Sequence, residues 1–125
     1  MDLVRGTNGF EVIHENGNWQ LNRDTGFSPT QATVAAVAAC SGYVYDTILE
    51  KKRIAYTIEG INVTFEQDQE AVIHVLKKIE VTFTLKVAQE DREKAEKALH
   101  LVKKSCPVAM SLDPKIEIIE KVVFS

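Results

Sequence analysis

From Ser28 to Arg53 the chain carries one uninterrupted helical pattern, and whatever fold it adopts must be built around that helix. Ser28 is positioned to cap it, and Pro29 stands at the first helical position, where a missing N–H costs nothing. Val34, Val37, Ala38, Ser41, Val44, Tyr45 and Ile48 recur at helical spacing along one side. The middle is small-sided, with Ala35, Ala36, Ala38, Ala39, Ser41 and Gly42 around Cys40. Small side chains let another element approach the helix axis, so this segment is expected to be deeply buried. Gly42 weakens a helix by roughly 1 kcal/mol relative to alanine, which points to a close contact beside the thiol.

The flanking segments supply strands. Phe10 to His14 and Trp19 to Leu21 enclose Glu15-Asn16-Gly17-Asn18, and Asn-Gly between apolar runs predicts a hairpin. Beyond the helix, the apolar set of Ile54 to Phe65 shifts phase before settling into Ile61, Val63 and Phe65. After a turn at Gln67-Asp68-Gln69-Glu70, Ile79, Val81, Phe83, Leu85 and Val87 alternate with polar residues, the mark of a strand with one face on a core. Asp91 to Lys104 reads as a second amphipathic helix with Ala95, Ala98, Leu99 and Val102 on its stripe. Pro107 disfavours helical backbone at Cys106, which places that thiol at a helix end. Ile116, Ile118, Val122 and Phe124 form a last strand, in which Ile118-Ile119 hints at a bulge. The order predicts an α+β fold, an antiparallel sheet covered by helices, for which a ferredoxin-like βαββαβ is the nearest generic description.

With 125 residues the expectation is one domain over residues 1–125. A net charge of −3 leaves no basic excess to neutralise phosphates, so no nucleic-acid partner is expected. The lysines at Lys51-Lys52-Arg53 and Lys103-Lys104 fall at helix C-termini, where the dipole favours cations. No apolar run approaches the roughly 20 residues of a membrane span, and Met1 to Gly6 lack the apolar stretch of a signal. The expectation is therefore a cytoplasmic protein with no membrane partner. In a reducing compartment two cysteines are either inert core thiols or redox-active ones. His14, His74 and His100 are scattered without ligand spacing, and neither cysteine has a C-x-x-C partner, so no metal and no cofactor are expected.

Three features together resemble the OsmC/Ohr family of thiol-dependent hydroperoxide reductases: Ser28-Pro29 opening the helix, Ala38-Ala39-Cys40-Ser41 within it, and Cys106-Pro107-Val108 with Leu112 beyond. The likeness extends from about Trp19 to the end of the chain. It implies an OsmC-like fold, antiparallel sheets wrapped around two central helices in an intertwined homodimer, with active sites at the subunit interface. It also implies that Cys40 is the peroxidatic residue and Cys106 the resolving one. The family uses an arginine and a glutamate near the reactive thiolate. The position of that glutamate, ten residues before the reactive cysteine, holds Thr30 here, beside Gln31, and neither carries a negative charge. For the arginine, Arg23 in the loop entering the helix is preferred over Arg5.

The expected chemistry is reduction of an organic hydroperoxide by the Cys40 thiolate, closure with Cys106, and reduction by an external dithiol. A cysteine of ordinary pKa is mostly protonated at neutral pH, so a cation must stabilise the thiolate, and Arg23 is the candidate. Thr30, Val37 and Tyr43 are the candidates for contact with substrate. The alternative is a non-catalytic dimer of the same fold that binds a small apolar molecule or serves as a thiol sensor. Taken singly, each cysteine is as well explained by packing, since free cysteine is a small, commonly buried hydrophobe.

Overall fold

The Ser28 hydroxyl accepts from the Gln31 amide at 3.1 Å, and the Gln31 side-chain oxygen accepts from the Ser28 amide at 2.9 Å. This reciprocal capping box starts helix α1, Pro29–Lys51, in a computed structural model that describes residues 1–125. Gln31 is thus a cap residue. The helix ends where Arg53 turns into the left-handed region with φ of 57°. By length and composition α1 could cross a membrane, which the sequence reading had not anticipated. Within the second unit described below, however, one face of it, Val37, Ala38, Ser41, Tyr45 and Leu49, is buried.

The chain divides into two compact units, Met1–Ala35 and Ala36–Ser125, and α1 runs through the division. In the first, β1 (Leu3–Gly6), β2 (Gly9–Val12) and β3 (Trp19–Gln20) form an antiparallel sheet in that order. Asn16-Gly17 makes the expected turn, with Gly17 at φ of 111°. A second turn ending at Gly9, φ of 106°, adds β1, a strand absent from the sequence reading.

The second unit holds a sheet of order β4-β5-β6, from β4 (Tyr56–Gln67), β5 (Leu76–Val87) and β6 (Glu117–Phe124). Strands β4 and β5 are antiparallel, and the phase shift in the apolar pattern of β4 corresponds to a register irregularity between Ile58 and Gly60. No bulge occurs in β6, where Ile118-Ile119 had hinted at one: its register with β5 is continuous from Lys78↔Glu117 to Leu85↔Phe124. That pairing is parallel, which corrects the all-antiparallel expectation. A parallel return needs a crossover, and the chain makes it with helices. The expected helix over Asp91 to Lys104 is broken into α2 (Arg92–Leu99), α3 (Val102–Ser105) and α4 (Pro107–Met110). Around His100 the amides bond three residues back, His100 to Lys97 and Leu101 to Ala98, and this tightening ends α2.

Ile79, Val81, Phe83 and Leu85 are wholly buried on one face of β5. Both helical layers close on it. The Tyr45 ring of α1 lies 5.0 Å from that of Phe83, and its hydroxyl donates to the Ala95 carbonyl of α2 at 2.7 Å. Gly42 lets α1 lie close against the sheet, since a Cβ there would stand 2.7 Å from Ile61 Cδ1. The obstacle is one terminal methyl on a partly exposed side chain, which can rotate, and alanine gains about 1 kcal/mol of helix propensity. Gly42→Ala is therefore expected to shift stability by less than about 1 kcal/mol, measured by urea unfolding.

Candidate functional site

Cys40 follows Ala38-Ala39 on α1 and is half-buried, its thiol free. Cys106 is wholly enclosed, also free, at the joint between two short helices. It ends α3 and caps α4 in extended backbone, φ −90° and ψ 108°, as Pro107 demands of its predecessor. Its sulfur accepts a hydrogen bond from the Ala109 amide at 3.4 Å. The two thiols are neighbours, although they stand 66 positions apart in the chain: Cys40 on α1 faces Cys106 at the α3–α4 joint. Burial pushes the Cys106 thiol above its usual range; the Ala109 amide opposes this, the neighbouring Cys40 thiol adds to it, and the Ser41 hydroxyl opposes it.

Two polar residues complete this cluster, Ser41, which the sequence places in the motif around Cys40 without a role of its own, and Glu120. Ser41 is fully buried, and its hydroxyl makes no closed hydrogen bond, although Cys106 and Glu120 are its polar neighbours. Glu120 occupies the core-facing phase of β6. In the parallel register Ile118, Glu120, Val122 and Phe124 stand beside Ile79, Val81, Phe83 and Leu85. One Glu120 oxygen, Oε2, is buried without a partner. Burial pushes this carboxyl above the usual carboxylate range, against the opposing pull of Ser41 and of the Lys103 amide and ammonium. The signal for Glu120 was present in the sequence, as the one charged member of the Ile116-Ile118-x-Val122-Phe124 alternation.

The remaining candidates are distributed as follows. Arg23 is exposed in the turn after β3, and Thr30 is half-buried in the first turn of α1, both in the first unit. Arg5 is on β1 with its guanidinium 4.3 Å from the Phe10 ring centroid, an occupation of its own. Val37, expected to contact substrate, is enclosed in the core with no exposed surface. Tyr43 is 74% exposed, on an open cavity of about 340 Å³ lined also by Ala39, Gly42, Asp46, Ile58 and Ile61. Tyr43 and Val37 thus occupy different sides of α1. His14 is engaged locally, its Nδ1 accepting from the Asn16 amide at 3.1 Å.

The family model described as OsmC-like protein matches residues 22–121. Among curated proteins none matches the sequence. Several solved structures share the fold. A hypothetical protein from Aquifex aeolicus superposes with a TM-score of 0.75 at 19% identity, over 99% of this chain and 93% of that one. An OsmC-like protein from Mycoplasma pneumoniae gives 0.71 at 18% identity, again over 99% and 93%. The organic hydroperoxide resistance protein OhrB of Bacillus subtilis gives 0.64 at 21% identity, over 98% and 96%.

Proposed function

Because this chain belongs to the OsmC-like protein family, we propose that it reduces organic hydroperoxides with Cys40 as the attacking thiol and Cys106 as the resolving one. The observation that carries the assignment is the contrast between two neighbouring free thiols, one half-exposed and one enclosed. The attacking sulfur must be reached by a substrate from outside, whereas the resolving sulfur needs only to reach its neighbour. The B. subtilis protein of the same fold is named for organic hydroperoxide resistance, which agrees with this reading.

In the first step the Cys40 thiolate attacks the distal oxygen of the hydroperoxide. The O–O bond breaks, the alkoxide takes a proton and leaves as alcohol, and Cys40 becomes a sulfenic acid. Cys106 then attacks the Cys40 sulfur, water leaves, and an external dithiol returns both thiols by exchange. Arg23 is proposed as the cation that favours the Cys40 thiolate, and Thr30 as a hydrogen-bond donor near it. The cavity beside Tyr43 offers an apolar wall to the organic part of a substrate. A cytoplasmic homodimer, with no nucleic acid or membrane as partner, completes the proposal.

A second reading has one observation in its favour: Thr30 stands where the family carries its glutamate. On that reading the chain is a dimer that binds a small apolar molecule, or a sensor whose thiols pair without turnover. Intact mass after one equivalent of cumene hydroperoxide separates the readings. The expected result is rapid loss of two hydrogens, mapped to a Cys40–Cys106 link, followed by repeated turnover with a dithiol. A link without turnover would mark a sensor, and thiols that stay free through long incubation would leave only the binding scaffold.

A further inference from the structure

Resting on the redox pair proposed above, we propose that Glu120 is a positioning residue that receives, through the Ser41 hydroxyl, the proton Cys106 loses when the disulfide closes. The enclosed Cys106 needs such a route. Its thiol must give up a proton to attack, yet Cys106 has no exposed surface, so bulk water does not collect that proton directly. The Ala109 amide stabilises negative charge on the sulfur but removes no proton.

Ser41 and Glu120 answer this need by position. A buried hydroxyl with no closed hydrogen bond is rare in a folded protein. Here one neighbours both a thiol and a carboxyl, and one oxygen of that carboxyl, Glu120 Oε2, is buried and unpartnered as well. A hydroxyl both donates and accepts, so Ser41 can take the thiol proton while passing its own to the carboxylate. The same glutamate also lines an open groove of about 480 Å³ between α2 and β6, which gives the proton an exit to solvent. On packing grounds alone, position 120 calls for an apolar residue like its in-phase neighbours Ile118 and Val122. Burial raises the Glu120 carboxyl above the usual carboxylate range, which makes it a better proton acceptor than an exposed carboxylate.

The step balances as follows. The Cys106 S–H bond breaks, the sulfur lone pair forms the S–S bond, and the S–O bond of the Cys40 sulfenic acid breaks. Hydroxide leaves into solvent at the half-exposed Cys40 and takes a proton from solvent. The proton released through Glu120 replaces that one, so that thiol and sulfenic acid give disulfide and one water. The Cys106 sulfur is oxidised and the sulfenic sulfur reduced, both to the disulfide level. The thiol proton reaches Glu120 through Ser41 and then leaves by the groove.

Groups near Glu120 are Ser41 of α1, with Cys106 beyond it, and Lys103 of α3 on the core side. Glu93, Glu96 and Lys97 of α2, His100 just past its end, and Lys121 on its own strand line the groove with it. The test therefore reads the second step alone. Reduced protein is mixed with one equivalent of cumene hydroperoxide, and disulfide closure is timed from the appearance of the sulfenic acid by quenching with dimedone, over about pH 5 to 9. In Glu120→Gln closure is expected to slow about tenfold or more, and the rise of its rate with pH that follows carboxyl ionisation to disappear. Ser41→Ala, which removes only one oxygen, is expected to slow closure similarly, and Glu120→Asp to restore part of the rate. Closure in Glu120→Gln and Ser41→Ala at the wild-type rate and with the wild-type pH profile overturns the proposal while leaving the redox pair intact. Absence of any sulfenic acid or disulfide in the wild type overturns the redox pair, and this proposal with it.

Discussion

Cys40→Ser is expected to abolish hydroperoxide reduction, with turnover of cumene hydroperoxide in the presence of a dithiol falling about a thousandfold or more. A serine hydroxyl has neither the acidity nor the nucleophilicity of a thiol, and removal of a covalent nucleophile ordinarily costs several powers of ten. Cys106→Ser has a different signature. One equivalent of alcohol is expected, after which the sulfenic acid persists, since no internal thiol closes on it; dimedone capture of Cys40 measures this directly. The difference between the variants follows from exposure, because the half-buried thiol meets substrate and the enclosed one meets only its neighbour. If the two variants were equally inactive in a single turnover, the division of labour between the sulfurs would be wrong.

The second large effect concerns stability. Phe83→Ala is expected to destabilise the protein by about 3–5 kcal/mol, by urea denaturation. Phe83 has no exposed surface, contacts the Tyr45 ring, and lies centrally on the face that the helices cover. Helices α1 and α2 both meet at Tyr45, so the cavity left by Phe83 opens where they join the sheet. A whole domain commonly has about 5–15 kcal/mol in hand, so this single loss would leave little. Tyr45→Phe is the control: it keeps the ring and removes only the hydrogen bond to Ala95, for about 1 kcal/mol. An equal cost for both variants would show that the hydroxyl, rather than the ring stack, secures the junction.

Much of this arrangement could be read along the chain because local chemistry records it. The Ser28-Pro29 start of α1, the alternation of β5 and the break forced by Pro107 all depend on neighbours within a few residues. Strand direction does not. The alternation of Ile118, Val122 and Phe124 looks the same whether β6 runs with β5 or against it, and only the crossover makes it parallel. The break at His100 was equally hidden, since Ala95, Ala98, Leu99 and Val102 continue the helical spacing through it. Glu120 was visible as an in-phase charge but had no meaning until the sheet face it occupies was known. Ser41 read only as another small residue of the helix, because its role depends on groups distant in sequence. Arg23 rests on the resemblance alone, whereas the two thiols have geometry as well.

The parallel return of β6 also bears on how such a chain changes over generations. A hairpin loop, such as the exposed segment between Gln67 and Leu76, joins strands that would remain paired at almost any loop length, so insertions there disturb little. The segment from Val87 to Glu117 is different. It is at once the bridge between two parallel strands and the arm that carries the second sulfur to the first. A deletion between Val87 and Cys106 alters reach as well as packing, because Cys106 lies within the segment. Its sequence is free to drift on the exposed side of α2, but under the proposed chemistry its length is tied to the approach of the two thiols. Drift in that length is therefore a route by which a relative could keep the fold and lose the chemistry.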